Sequence, residues 1–267
     1  MTKGSPTMLG LGVTAGVSPH LARDLAGRCQ ELGYQSLWSN DGERTPGLET
    51  LVHFAVGAPK LELGVGVLPL DRNPPAKIKA DIDRLGIDPS RLWVGVGSGQ
   101  LRPPVEAVRR GVEELRQILP EGTRIAVAAM RPRLCRLGGE IADAVLLNWM
   151  LPAQAARARS WMEEGQRPGD ERKPVLATYV RVAFGPEAQE RLTREESRYR
   201  VINEGHRQHF AAMGVAVGTV GIAALRRADV VDGLEPYRAA VDLTIVRALA
   251  TGGEDSLLAV AEAAAPT

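Results

Sequence analysis

The residues that could do chemistry in this chain sit just past the ends of its apolar runs. The stretch Met130-Arg131-Pro132-Arg133 follows one such run and opens a helical pattern that continues through Leu134. Backbone amides at a helix start point outward and carry partial positive charge. Guanidinium groups match the geometry of phosphate oxygens. This turn is therefore a candidate anion site; solvated arginines on a helix start are the plainer alternative. The next apolar run ends in Asn148-Trp149, whose indole either walls a pocket or caps an interior. Gly95-Val-Gly97-Ser98-Gly99-Gln100 ends an earlier run. Its glycines let backbone amides approach a flat ring or an anion, but the third glycine comes too early for a dinucleotide fingerprint. Ser39-Asn40-Asp41-Gly42 reads as polar ligand contacts or as an Asx turn. Gly64 and Gly66, ahead of Val67 and Leu68, imply close approach by a ligand or another backbone, or a tight bend in a barrel. His206 and His209 lie three apart on a helical stretch with no cysteine nearby, so no metal site is assigned.

The elements that must position these residues alternate. Strand-like runs are Leu9–Val13, Ser36–Ser39, Leu61–Leu68, Leu92–Gly97, Ile125–Ala129, Ala144–Leu147, Val175–Val182 and Leu243–Val246. Helical segments lie between them: Ser18–Leu32, capped by Ser18 and stopped by Gly33, then Gly47–Val56, Pro74–Leu85, Pro104–Leu119, Arg133–Ile141 and Ala153–Gly165. One long helix is expected over Glu187–Met213, and Glu254–Ala264 closes the chain. Eight short apolar strands separated by helices predict an α/β fold, a single-domain (β/α)8 TIM barrel over 1–267, rather than a doubly wound open sheet. In such a barrel the carboxyl ends of all the strands share one face, where a site is assembled.

Composition narrows the function. The chain has 267 residues, a formal net charge of +1 and 44% hydrophobic residues, which is enough for a large core and gives no electrostatic case for nucleic acid or a membrane surface. Its long uncharged runs are interrupted by glycine, and none supplies the roughly 20 apolar residues of a membrane span. Cys29 and Cys135 belong to no CxxC pair and read as buried, reduced thiols. A cytoplasmic protein acting on a small molecule is the expectation.

Taken together, the strand ends resemble the luciferase-like superfamily of flavin- and deazaflavin-dependent oxidoreductases. The resemblance runs over roughly residues 8–215. It is carried by Ser36-Leu-Trp-Ser-Asn-Asp41, Leu63-Gly-Val-Gly-Val-Leu-Pro-Leu70 with Arg72-Asn-Pro-Pro75, Arg91-Leu-Trp-Val-Gly-Val-Gly-Ser-Gly99, Val127 to Pro132 and Ala142 to Trp149. It implies a barrel holding coenzyme F-420, or alternatively FMN, with the ring at the mouth and the phosphate near the fifth-strand turn. It places cofactor contacts on Asp41, Val67 or Leu68, Ser98, Gly99, Met130, Arg131, Arg133 and Leu134. Asn40, Gln100, Asn148 and Trp149 are the further groups expected around the ring. It also implies a non-proline cis peptide near Gly66–Leu68.

Two departures bear on activity. Where sugar-phosphate dehydrogenases of the superfamily carry a His after the second-strand Asp and a Glu after the fourth-strand Ser/Thr-Gly, this chain has Gly42 and Gln100. No catalytic residue is therefore assigned. A hydride-transferring reductase is favoured; an FMN-dependent monooxygenase or a non-catalytic flavin- or phosphate-ligand-binding barrel are the alternatives. The modest length predicts a reduced lid over the mouth. Barrels of this kind often pair, and a homodimer is left open.

Overall fold

The computed structural model describes residues 7–250 and 254–266. Its strands are β1 (Met8–Val13), β2 (Ser36–Ser39), β3 (Glu62–Pro69), β4 (Leu92–Gly97), β5 (Arg124–Ala129), β6 (Ala144–Asn148), β7 (Val175–Phe184), β8 (Ile222–Ala224) and β9 (Leu243–Ala248). All pairings are parallel, and β1 to β7 with β9 form a ring closed by the β6–β7 and β1–β9 pairs. The helices are α1 (Pro19–Glu31), α2 (Gly47–Gly57), α3 (Pro75–Leu85), α4 (Pro104–Ile118), α5 (Pro132–Ile141), α6 (Pro152–Gly165), α7 (Ala188–Ile202), α8 (Glu204–Met213), α9 (Arg227–Ala240) and α10 (Glu254–Ala263). This is the (β/α)8 barrel expected from the alternation of the sequence.

Local chemistry sets the helix ends. The Ser18 hydroxyl accepts the Leu21 N–H at 3.3 Å with Pro19 at the first helical position, and Gly33 stops the chain at φ +85°. On α4 the residues Val108, Val112 and Leu115 repeat on one face and are fully buried against the outside of the strands. Cys29 and Cys135 are buried and unpaired, and burial pushes the Cys135 thiol up to about 12.

The inside of the barrel follows the period of two along each strand. Trp38, Trp93, Leu146, Tyr179 and Ile245 point inward and pack as one plug. Trp38 and Tyr179 meet edge to face at 6.2 Å between ring centroids. The strand glycines make room for this plug. A Cβ on Gly64 would lie 2.3 Å from the Trp38 ring, and one on Gly66 would lie 2.4 Å from the Tyr179 hydroxyl oxygen. Gly12 likewise faces Tyr179. The close approach at Gly64 and Gly66 is made by side chains, Trp38 and Tyr179, and not by the other backbone that the sequence reading named. The Gly66–Val67 peptide is cis, within the segment where the resemblance places one.

Three parts of the chain differ from the sequence-based expectation. The helix expected over Glu187–Met213 is two helices, α7 and α8, broken where Asn203 turns extended and caps α8 by accepting the His206 N–H. β8 was not foreseen. It exists because β7 outlasts its neighbour: β6 ends opposite Tyr179, and β8 pairs with the uncovered stretch Val182–Phe184. Helix α9 was also not foreseen, and its composition hides it, with Pro236 inside and Gly233 against Ile222. The excursion through α7, α8 and β8 is the extra material between β7 and its returning helix, and it is folded rather than absent. Glu196 organises it from a fully buried position. Its carboxylate accepts from Arg200 at 2.6 Å and from the Gly218 and Val220 N–H groups at 3.0 Å each.

The Gly64 contact gives a test. Gly64→Ala should destabilise the protein by about 1–3 kcal/mol, the usual range for overpacking a core. Pairing it with Trp38→Leu should cost less than the two single changes added together, because the clash and the cavity cancel. Thermal or chemical denaturation of the four proteins measures this, and full additivity would rule out the contact.

Candidate functional site

The loops that follow β2, β4, β5 and β6 all open on the carboxyl-end rim of the barrel, so Asp41, Ser98, Arg131 and Asn148 share one face. On that face they fall into separate networks. The first joins the loops after β2, β3 and β4. Asp41 is nearly buried; its Oδ1 accepts the Gly47 N–H at 3.1 Å, and its Oδ2 accepts from Asn73 at 3.1 Å and Arg72 at 3.5 Å. Pro46 precedes α2 and offers no side-chain cap, so Asp41 supplies the negative charge at that helix start. Asn40 accepts the Ala15 N–H at 2.9 Å. Asp71 accepts the Gln100 N–H at 2.9 Å and crowds Gly99, which sits at φ +57°; a Cβ there would lie 1.9 Å from the carboxylate. Ser98 stays half-buried at this edge, with Val67 nearby and Leu68 buried behind it.

The second network lies at β5. Arg131 is exposed and donates to Gln208 of α8 at 3.0 Å. Arg133 is exposed, and among the described residues it has no ion-pair partner. Met130 and Leu134 are half-buried beside them. The turn does open α5, as its sequence predicts.

The third network centres on Trp149, which is 1% exposed and holds a left-handed backbone at φ 54°. That conformation is uncommon for a bulky residue and is held in place by its surroundings. The Arg181 guanidinium lies 3.9 Å from the Trp149 ring centroid and donates to Asn148 Oδ1. Tyr199 and Phe210 pack on the same indole at 5.1 and 5.4 Å. His209 Nε2–H donates to the Trp149 carbonyl at 2.7 Å. The indole thus anchors α7 and α8 over the mouth rather than walling an open cleft. His206 and His209 engage Asn203 and Trp149 separately and do not converge on a common point.

A cleft of about 700 Å³ opens between the ends of β1 and β9 and helix α7. Thr14, Arg247, Arg191, Arg194, Glu195 and Arg198 supply its polar lining. None of the candidate site residues named from the sequence lines it, although the α1 cap Ser18 does. Arg247 and Arg181 are register partners on β9 and β7, 6% and 4% exposed, and both point inward above the aromatic plug. Arg247 donates to Thr14 Oγ1 at 2.7 Å and to the Ala248 carbonyl at 3.1 Å. Among the described residues neither arginine forms an ion pair with a carboxylate. Burial pulls Arg181 down to about 10, with its neighbour Arg247 adding to the effect, so it stays charged at neutral pH. Three buried polar atoms of this face, Arg181 Nε, Trp149 Nε1 and His206 Nε2, have no hydrogen-bond partner. A charge in the apolar strands Val175–Phe184 and Leu243–Ala248, at an inward position, was the legible signal for both arginines.

The imidazoles give a pH test. Burial and the nearby Arg181 hold His206 down to about 4, and burial also lowers His209. A base that binds its proton more weakly when folded favours the native state above its unfolded value, near 6.5, and loses that contribution as pH falls toward 4. Stability should therefore fall by on the order of 2 kcal/mol across that window. His206→Gln should flatten the slope in denaturant titrations run from pH 7 to 4; an unchanged slope would show that the imidazole is not buried neutral.

No protein-family model matches the chain, and no curated protein sequence matches it. Solved structures do. An F-420-dependent secondary alcohol dehydrogenase, in complex with an F-420–acetone adduct, is 15% identical and aligns over 97% of this chain and 99% of that one at a TM-score of 0.73. The coenzyme F-420-dependent tetrahydromethanopterin reductase from Methanopyrus kandleri is 18% identical over 97% and 98%, at 0.71. The oxygenating constituent of 3,6-diketocamphane monooxygenase of Pseudomonas putida, in complex with FMN, is 14% identical over 98% and 99%, at 0.60. The chain shares with these enzymes one full-length fold, the closed barrel with its strand ends gathered at a single mouth.

Proposed function

We propose that the protein is a luciferase-like oxidoreductase, one barrel domain over 1–267, that works with bound coenzyme F-420, or with FMN, and acts as a reductase on a small organic substrate. The observation that carries this reading is the placing of polar strand-end residues and two buried guanidinium groups, without an ion pair among the described residues, at the mouth of a barrel. Full-length structural neighbours of that barrel include enzymes named for F-420 and one bound to FMN. Orphaned buried polar atoms on that face fit a ligand with acceptor and anionic groups.

When bound, such a coenzyme supplies the hydride chemistry that side chains lack. The chain's own residues position and shield it. Arg131 and Arg133, with the first amides of α5, take the phosphate. Ser98, Gly99 and Gln100, with Val67, Leu68 and Met130, border the ring, and α7 and α8 exclude water from the mouth. Asn148 acts through Arg181, whose charge it orients.

Reduction is preferred to alcohol oxidation because, among the described residues, the rim carries no carboxylate–imidazole pair. Asp41 is saturated by Gly47, Asn73 and Arg72, and Gly42 and Gln100 stand where a general acid–base pair would be needed.

Adding F-420 and, separately, FMN to the purified protein should quench tryptophan fluorescence with saturable binding. No quenching by either would refute the reading. Arg131→Glu should weaken cofactor affinity about tenfold or more, since a charge-assisted contact is worth about 1.5–3 kcal/mol and reversal adds repulsion. Its melting temperature should stay unchanged, because the side chain is exposed. Unaltered affinity would show that Arg131 does not meet the phosphate.

A further inference from the structure

The arginines of the β1–β9–α7 cleft are left unexplained by the cofactor contacts above. β1 lies four strands from β5 in a ring of eight, so this cleft sits across the mouth from Arg131 and Arg133. Positions 191, 194, 195 and 198 follow the three-to-four spacing that puts residues on one helix face, and that face of α7 lines the cleft. Three of the four are arginine. The lone carboxylate, Glu195, is taken by Arg198 at 3.0 Å. Arg194 is exposed and has no ion-pair partner among the described residues.

Arg198 is compensated by Glu195, whereas the buried members form no ion pair among the described residues. Arg191 donates to the Leu249 and Phe184 carbonyls at 3.1 and 2.6 Å, which are neutral acceptors. Among the described residues Arg247 meets a hydroxyl and a carbonyl, and beside it Arg181 leaves Nε unpartnered. Several part-buried arginines elsewhere pair with carboxylates, as in Arg109–Glu140, Arg124–Glu62 and Arg159–Asp242, while Arg91 is held by the Ala58 and Leu61 carbonyls. Burying a guanidinium without a counter-charge is costly, and an incoming anion offsets that cost. The cleft is far larger than an inorganic ion, and Val13, Val17, Leu21, Leu249 and Leu257 give it an apolar wall.

We propose that the substrate is an organic anion, a carboxylate or phosphate ester on an apolar body, and that Arg247, Arg194 and Arg198 hold its charged group in this cleft. The assignment to the substrate, as distinct from the presence of an anion site, rests on the function proposed above. The charged group is thereby fixed at the β1–β9 side, and the body of the molecule extends toward the centre of the mouth.

Calorimetric titration with hexanoate and with phenyl phosphate tests it, on the protein alone and again with saturating F-420 or FMN. Both probes should bind, the neutral analogue hexanamide should bind at least tenfold more weakly than hexanoate, and saturating cofactor should leave anion binding in place. The double variant R194Q/R198Q should lose tenfold or more in anion affinity while circular dichroism, melting temperature and tryptophan quenching by cofactor stay as in the parent. R247Q adds a second, buried position that should act in the same direction. Four results would each overturn the proposal: no binding of either anion, equal binding of hexanamide and hexanoate, undiminished binding in R194Q/R198Q, or loss of anion binding on adding cofactor. The last would assign these arginines to the cofactor's own acidic groups. Failure of F-420 and FMN to quench tryptophan, with hexanoate binding still dependent on Arg194 and Arg198, would remove the proposed function while leaving the anion cleft in place.

Discussion

What the barrel interior can hold is decided by where its side chains are missing. Gly10, Gly12, Gly64 and Gly66 strip bulk from β1 and β3, and Trp38, Tyr179 and Ile245 fill the space from β2, β7 and β9. The plug so formed is apolar and tightly interlocked, as interiors must be. Because it occupies the lower layers, the next inward positions of β6, β7 and β9 open on the mouth. Those positions are Asn148, Arg181 and Arg247. The glycine–aromatic exchange thus sets the level at which the barrel stops being a core and becomes a site.

Above that level, charge replaces shape as the governing quantity. Two guanidinium groups on neighbouring strands repel each other and are shut off from water, so each recruits neutral help: the Trp149 face and the Asn148 amide for Arg181, a hydroxyl and a carbonyl for Arg247. Trp149 then ties this layer to α7 and α8, its indole packing on Tyr199 and Phe210 and its carbonyl accepting from His209. The excursion after β7 is in this way seated on the charged layer, and the buried Glu196 keeps its far end closed. The mouth is left with two clusters of arginine, one at the β5 turn and one at the β1–β9 cleft.

The alternation of strands and helices was legible because each strand announces itself as a short apolar run bounded by glycine, proline or a cap, as with Ser18-Pro19 before α1 and Gly33 after it. The rim residues were legible for the same reason, since a polar residue just past an apolar run lies at a strand end whatever the packing. The elements that escaped lack such marks. β8 is three residues long and owes its pairing to the overshoot of β7. Helix α9 contains a proline and a glycine that oppose helix formation in isolation, and contacts with the barrel override them. The break at Asn203 is a cap inside a continuous helical pattern, and the sequence on either side favours helix equally well.

By itself, then, the sequence determined the closed parallel barrel, its strands to within a residue or two, and the list of side chains on the carboxyl-end rim, because period, capping and turn chemistry are local properties. Only the tertiary structure decided which of those side chains remain free. Asp41 and Asn40 were drawn into holding loops, and Trp149 was covered by a helix from far along the chain. Arginines at 191, 194, 198 and 247, scattered over the last third of the sequence, came together around one cleft, with Arg181 beside Arg247. The physical reason is that satisfaction of a polar group depends on partners brought from distant segments, and no local pattern encodes which partner arrives.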